Sequence, residues 1–445
     1  MEQGKSSRKA DAKEVKTHPS DKQQENPQQA NLQDEMQQKD TSQQESEVRE
    51  MRCCKLTAQD VEERTGLWQL CFHDDPSYIK LFFQHFNMPN FCRRTFMDGK
   101  LVSTLYNIEN YQFPYAGELF STSYFYALAT LPEYRNRGTM SRLITETLNE
   151  LYTEGESLAI LIPAEPWLFD YYARFGFSPV FRRSLQTLCT NSPNRAFQPQ
   201  QTTSRGQETT PLREVTPKAA NRRKEENLVY TEEISREEAM ELLLCEMKRR
   251  KAYLQHSLTD LPMVMDDLSW GEGRLCGLRS KGSELQAESN EPQARGKESQ
   301  EGGGELRALA LLYPQEENWL IGEWVGRTEE EEVQLLHLLS QHVTGTLYRY
   351  LPATAAQPGR PFGMARLIHV ERWLAAYARV RSELSLTLQI HDPQIADNNG
   401  CFCIDKGKCL RIEAPLSNVD RTLDISQLAD EILSPINPYM SLMLE

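Results

Sequence analysis

Ala127-Leu-Ala-Thr-Leu-Pro-Glu-Tyr-Arg-Asn-Arg-Gly-Thr-Met-Ser-Arg-Leu-Ile144 decides the reading of this chain: an apolar strand breaks at Pro132 and a helix restarts at Gly138. Between them lies the basic turn Arg135-Asn136-Arg137-Gly138, followed by Thr139-Met140-Ser141. A helix whose first turn follows such a segment exposes unpaired backbone N–H groups and the positive end of its dipole, so the spacing predicts a pyrophosphate cradle. Met140, Leu143, Ile144, Thr147, Leu148 and Leu151 recur at three and four residues, which predicts an amphipathic helix ending near Gly155. Ser157-Leu-Ala-Ile-Leu-Ile-Pro163 reads as a short strand buried on both faces. Strand, cradle, helix and strand form one crossover unit.

The unit continues into Glu165-Pro-Trp-Leu-Phe-Asp-Tyr-Tyr-Ala-Arg-Phe-Gly-Phe-Ser-Pro179, a short helix with Gly176 where the chain turns back. The cradle resembles motif A of the GNAT acetyltransferases, Q/R-x-x-G-x-G/A after a proline-ended strand, and Tyr172-Ala-Arg-Phe-Gly-Phe177 resembles the segment that closes their cofactor site. Met140 replaces the final G/A, as in the enhanced intracellular survival (Eis) branch.

This resemblance implies an N-acetyltransferase with acetyl-CoA as cosubstrate and no metal. Arg135, Asn136, Arg137, Gly138, Thr139, Met140 and Ser141 would surround the pyrophosphate. The N–H groups of Leu128, Ala129 and Thr130 would hold the pantetheine arm and polarise the thioester carbonyl; ordinary sheet pairing is the other reading of those three. Tyr172 matches the tyrosine that serves as general acid toward the thiolate, and a phenol of pKa about 10 stays protonated at neutral pH. Tyr171, Tyr172 and Phe175 also suit the apolar face of a short helix.

Neither first-domain motif contains a histidine to accept the amine proton. In the Eis family the acceptor is the C-terminal carboxylate, here that of Glu445, which follows the apolar segment Pro438-Tyr-Met-Ser-Leu-Met-Leu444. A free terminus of pKa about 3.3 to 3.7 needs burial or a water relay to act as a base.

At 445 residues and 51.3 kDa the chain should form about three domains. No apolar run approaches the roughly 20 residues of a membrane span, and no apolar leader opens the chain, so a cytoplasmic location without membrane association is expected. The ten cysteines are then expected to be reduced thiols. Cys401, Cys403 and Cys409 lack a fourth ligand at zinc spacing and read as packed strand residues. A formal charge of -14 argues against nucleic acid as the main partner and fits a cationic ligand.

Residues 1–50 contain no aromatic side chain and read as a disordered tail. From Arg52 the pattern gives a helix capped by Thr57, a second aromatic helix over Tyr78 to Phe86, and a hairpin turning at Asp98-Gly99. This opens the expected catalytic GNAT domain, 51–190. A polar linker (191–226) follows, then a second α/β unit (227–360) with a polar insertion at 281–304, which the Eis resemblance implies is a degenerate GNAT-like domain. Its signals are a capping box at Ser235-Arg-Glu-Glu238 starting a helix through about Tyr253, strands at Leu306 to Tyr313 and Trp319 to Val325, and a helix from Thr328.

Residues 361–445 resemble the sterol-carrier-protein-type domain that ends Eis-family chains, with Ser426 capping a closing helix. The fold expected is thus α/β (α+β): tandem GNAT-like domains, then a sterol-carrier-protein-type α+β domain. The resemblance further implies a homo-oligomer, a hexamer, acting on a small cationic amine or a lysine-like group. The competing function is a non-enzymatic ligand or lipid carrier with a vestigial cradle; the intact Arg135 to Met140 segment favours the enzyme.

Overall fold

The hairpin at Asp98-Gly99 closes with Met97 opposite Lys100. Both turn residues hold positive φ, 51° and 73°, which a two-residue turn needs if its twist is to match its strands. The computed structural model describes residues 58–86, 91–188, 228–281, 304–413 and 419–444, all within the unit Leu56–Glu445. The expected tail, the cap at Thr57, the linker 191–226, the insertion apart from Lys281 and Gly304, and Glu445 lie outside the described residues.

Helices α1 (Ala58–Phe72) and α2 (Pro76–His85) precede β1 (Cys92–Met97) and β2 (Lys100–Tyr115). Asp75 caps α2 by accepting from the Ser77 N–H at 2.7 Å, with Pro76 in the first turn. The buried face of α2, including Phe82, packs on Trp68 of α1 at 4.9 Å between ring centroids, and Tyr106 of β2 lies 5.2 Å from the same indole.

Next come β3 (Glu118–Thr130), a 3-10 turn at Pro132–Tyr134, α3 (Thr139–Glu154), β4 (Leu158–Leu161), α4 (Pro166–Ala173) and β5 (Ser178–Leu188). Helix α3 buries Leu143, Ile144, Leu148 and Leu151 and ends at Gly155 in the left-handed conformation. All four residues of β4 are buried, as its apolar run requires.

The order then recurs in β6 (Leu228–Thr231), α5 (Arg236–Met247), α6 (Leu261–Trp270), β7 (Arg274–Ser280), β8 (Leu306–Gln315), β9 (Asn318–Gly326), α7 (Glu329–His342) and β10 (Leu347–Pro352). Strand β10 runs parallel to β9 as β4 runs parallel to β3. Capping boxes open α5 at Ser235 and α7 at Thr328. Helix α5 stops at Met247, short of the expected Tyr253. Beyond it Leu254 N–H donates to Tyr439 O and Gln255 pairs with Gln112 of β2, so these backbone groups serve strand-like contacts in place of helical ones.

The chain finishes with β11 (Arg360–Leu367), α8 (Val370–Val380), β12 (Ser385–His391), β13 (Gly400–Asp405), β14 (Lys408–Ile412), β15 (Arg421–Asp424) and α9 (Ile425–Leu433). The cap of α9 is Asp424, not Ser426: the Asp424 carboxylate accepts from Gln427 N–H, and Ser426 sits inside the first turn bonded to that same carboxylate.

One eleven-stranded sheet has the order β1-β2-β3-β4-β11-β5-β10-β9-β8-β7-β6, and a four-stranded sheet the order β14-β13-β12-β15. Two joints tie the parts together. Strand β10 pairs antiparallel with β5 from Leu347↔Leu188 to Pro352↔Arg183. Strand β11 lies between β4 and β5. Trp373 of α8 stacks on Phe120 at 4.0 Å and donates its indole N–H to Ser157 O, so the closing region shares the core of the first.

Candidate active site

Strands β3 and β4 pair only from Thr122↔Leu158 to Phe125↔Leu161. Past Phe125, β3 keeps β2 on one edge, while Ala127 and Leu128 together oppose Leu105 alone. This is a bulge, and Ala127 takes φ 45°. Among the described residues the other edge of Tyr126 to Thr130 has no strand partner. A cleft of about 1590 Å³ opens there, lined by Leu128, Ala129 and Thr130 on one wall and Ile162 to Ala164 on the other. Its volume exceeds the range of about 300–1,000 Å³ common for small-ligand sites.

The cradle closes one end of this cleft. Gly138, the N-cap of α3, has φ 78° and no side-chain cap. A Cβ there would meet no atom within 4 Å, so backbone hand and not crowding calls for glycine. The first intrahelical bond is Arg142 N–H to Gly138 O at 2.9 Å, which leaves the amides of Thr139, Met140 and Ser141 without an intrahelical acceptor.

Arg135, Asn136, Gly138, Thr139, Met140 and Ser141 all line the cleft. Arg135 turns back to donate to Thr130 O at 3.1 Å. Arg137 does not join them; exposed, its guanidinium lies 5.2 Å from the Tyr134 ring centroid. Side chains two apart in this turn leave on different sides.

Tyr172 also lines the cleft from α4. Its ring is buried against Tyr171 and Phe177, at centroid distances of 5.2 and 6.2 Å. Burial, with a smaller contribution from the neighbouring Tyr171, pushes its phenol above the ordinary tyrosine value. Among the described residues its hydroxyl has no hydrogen-bond partner.

The segment leading to Glu445 enters the same cleft. Leu444 lines it, and its carbonyl accepts from the Tyr124 hydroxyl at 2.6 Å. Upstream the segment is pinned by Tyr439 N–H to Ala252 O and Leu254 N–H to Tyr439 O, each 2.9 Å. Buried His256 bonds the Ser441 carbonyl through Nε2 at 2.9 Å and Asp260 through Nδ1. Burial opposes charge on this ring, but Asp260 and the Ser441 carbonyl hold its pKa above the usual histidine value.

Sequence reasoning did not single out several lining residues: Asp74, which accepts from Trp68 Nε1 at 2.7 Å, Arg183, Tyr350, Arg360 and Phe362. Asp74 lies in the loop between α1 and α2, and the other four come from β5, β10 and β11, which only strand pairing brings together. Trp68 turns out to be both core and cleft wall. Among the described residues no group of three or more His, Cys, Asp or Glu side chains is arranged to hold a metal; Cys401 donates to Gln389 Oε1 at 2.8 Å. No described helix is long and apolar enough to cross a membrane.

Residues 52–180 match the family model of the acetyltransferase (GNAT) domain. The S-alkylcysteine N-acetyltransferase of Bacillus subtilis (strain 168) is 32% identical over 99 residues, 19% of this chain and 50% of that protein. The match thus spans about half the length of this curated relative. Eis1 from Mycobacterium abscessus aligns with TM-score 0.58 at 15% identity, over 85% of this chain and 88% of its own. GCN5-related N-acetyltransferases from Anabaena variabilis ATCC 29413 (TM-score 0.58, 15%) and Kribbella flavida (0.57, 13%) each align over 87% of this chain and 98% of theirs. Such identities speak to fold. Residues 52–180 are thus similar to the acetyltransferase (GNAT) domain, and the overall fold is shared with these structures.

Proposed function

We propose that the protein transfers the acetyl group of acetyl-CoA to an amine. The observation that carries this reading is one cleft joining four parts: the amides ahead of α3, the unpaired edge of β3, the Tyr172 hydroxyl and the segment ending at Leu444. The Thr139 to Ser141 amides and the helix dipole would bind the pyrophosphate. Main-chain N–H groups among Leu128, Ala129 and Thr130 would hold the pantetheine arm and stabilise charge on the thioester oxygen.

In the reaction the N–C bond forms, the C–S bond breaks, and the amine gives up a proton. The acceptor assigned to that proton is the α-carboxylate of Glu445, supported by the position of Leu444. Tyr172 faces the departing sulfur. A thiol of pKa about 8.5 is more acidic than a buried phenol, so Tyr172 acts chiefly by hydrogen bonding to the developing thiolate, and water completes its protonation.

The same reading takes 51–190 as the catalytic domain and 227–360 as a degenerate GNAT-like one, supported by the recurrence of element order. It takes 361–445 as sterol-carrier-protein-type and the whole as a cytoplasmic, Eis-like homo-oligomer; the likeness in overall fold to Eis1 supports the architecture alone.

The test is thiol release from acetyl-CoA across a panel of amines. Tyr172→Phe should lower kcat by about 10²- to 10³-fold, the range for one transition-state donor, and leave coenzyme affinity within threefold. Residues appended after Glu445 should stop turnover and spare coenzyme binding. A Tyr172→Phe enzyme within threefold of wild type overturns the assignment.

A further inference from the structure

The segment that carries Leu444 into the cleft is gripped by the loop between α5 and α6 and by β9. Ser441 is the point of attachment. Its carbonyl meets His256 Nε2 at 2.9 Å, and its hydroxyl donates to the Glu323 carboxylate. Glu323 is 1% exposed and takes Arg250 Nη1 at 2.7 Å on its other oxygen. The next residue, Leu442, has φ 52°, a hand that a bulky side chain adopts only where its surroundings impose it. Leu442 packs among buried side chains of α5, α6, β8 and β9, while Leu444 lines the cleft.

The His256 ring has an acceptor at each nitrogen: the Ser441 carbonyl at Nε2 and the Asp260 carboxylate at Nδ1. Asp260 precedes α6, yet its carboxylate caps no amide of that helix. Its second oxygen takes the Ser257 N–H at 2.8 Å and the Ser257 hydroxyl at 2.9 Å. Neutral imidazole donates from one nitrogen only, whereas imidazolium donates from both. Both bonds therefore coexist beside ionised Asp260 only while the ring carries two protons. When one is lost, the remaining N–H stays with the anionic partner, because charge-assisted bonds are the stronger. A nitrogen lone pair then faces the Ser441 carbonyl, and the bond to the segment is gone.

The other titratable groups around the ring are Glu323 from β9 and Tyr111 from β2. Glu323, itself paired with Arg250, favours the charged ring. The Tyr111 ring lies 5.4 Å away between centroids, and burial pushes its phenol well above the ordinary range, so it stays neutral.

We propose that His256 is a positioning residue: its doubly protonated ring clamps Ser441 and so seats the C-terminal segment in the cleft, and loss of one proton opens the clamp. The folded-state pKa is raised, so the clamp is closed below the ordinary histidine value of about 6.5 and opens as pH rises through the higher folded value. The clamp stands on its own geometry; its catalytic consequence rests on the acetyltransferase reading, in which Glu445 follows Leu444 as the proton acceptor.

The experiment is hydrogen exchange of the full chain, read by mass spectrometry over 438–444 and corrected for the intrinsic pH dependence of exchange, from about pH 6 to about pH 9. Protection of the Tyr439 amide, which is bonded to Ala252 O, and of its neighbours should fall roughly tenfold or more, the scale of one hydrogen bond to a charged group. Helix α3 should stay protected. His256→Ala should leave 438–444 weakly protected at every pH. Asp260→Asn should keep the segment protected throughout, because its amide NH₂ can donate to Nδ1, its oxygen can still accept from Ser257, and the neutral ring keeps Nε2–H for Ser441. Thiol release should follow the same pattern, with an alkaline fall in kcat that Asp260→Asn lacks. Protection of 438–444 that is flat with pH in the wild type, or an alkaline loss that persists in Asp260→Asn, overturns the clamp. The wild-type series alone decides if Asp260→Asn fails to fold. An alkaline loss of protection that Asp260→Asn abolishes, with no thiol release from any amine, upholds the clamp and overturns the transferase reading.

Discussion

Asp392→Asn should cost this protein about 3–5 kcal/mol of stability, the range for orphaning one member of a buried ion pair. Arg366 and Asp392 are wholly buried, joined through both carboxylate oxygens at 2.7 and 2.8 Å. The carboxylate also accepts from the amides of Gln394 and Ile395 at 3.0 and 3.1 Å and from Asn398 Nδ2 at 2.8 Å. Asparagine keeps the volume, but it removes the countercharge and sets one amide NH₂ against donors. A neutral hydrogen bond alone is worth about 1 kcal/mol, so the two accounts differ measurably. Arg366 Nε also donates to Phe175 O at 2.9 Å, at the end of the helix that bears Tyr172. Next to it Gly176 has no room for a Cβ, which would lie 2.3 Å from Ile425 Cγ2. Acetyl transfer should therefore decline along with stability. The assay is urea unfolding followed by circular dichroism and tryptophan fluorescence, with coincident transitions required. Adding Arg366→Met to Asp392→Asn removes the orphaned charge and should recover about 1–3 kcal/mol. A single-variant loss under about 1 kcal/mol, or a double variant no better than the single, would refute the reasoning.

Two further outcomes are expected. Gly138→Ala puts a side chain at φ 78° at a cost of about 1–2 kcal/mol, and coenzyme affinity by calorimetry should weaken at least tenfold if the cradle holds the pyrophosphate; an unchanged Kd would remove the cradle from the site. Burial, with Glu109 adding, pushes the Glu156 carboxyl up to about 7, above its unfolded value of about 4.3. The native state thus binds the extra proton, and this contribution to stability is lost as pH rises from about 4 through 7. Because Glu156 is only half-buried, Glu156→Gln should stabilise by about 1–2 kcal/mol at pH 8 and by almost nothing near pH 4; equal effects at both pH values in urea titrations would contradict the assignment.

What could be read without coordinates was local. Asp98-Gly99, Gly138, Gly155 and the capping boxes at Ser235 and Thr328 announce themselves within a few residues, because turn hand and helix ends depend on neighbours in sequence. The turn and helix start at Gly138 were legible for the same reason, and the outward turn of Arg137 was not. Helix α5 ended early because Leu254 and Gln255 find partners at Tyr439 and Gln112, contacts no helical period encodes. Asp424 displaced Ser426 as a cap within a stretch where both residues qualify chemically. The Arg183, Tyr350, Arg360 and Phe362 cluster was invisible because it exists only once β5, β10 and β11 are paired.

That interleaving bears on how the protein is made. The chain leaves β5 at Leu188 and returns only at Arg360 to fill the gap beside β4. A nascent polypeptide therefore waits on the order of ten seconds or more at ordinary elongation rates with that seam unzipped. During that interval the exposed edges of Leu158–Leu161 and Ser178–Leu188 invite pairing with other chains. Fragments cut at 188 should be sticky and inactive, and supplying the missing strand on a separate peptide is the natural way to rescue them.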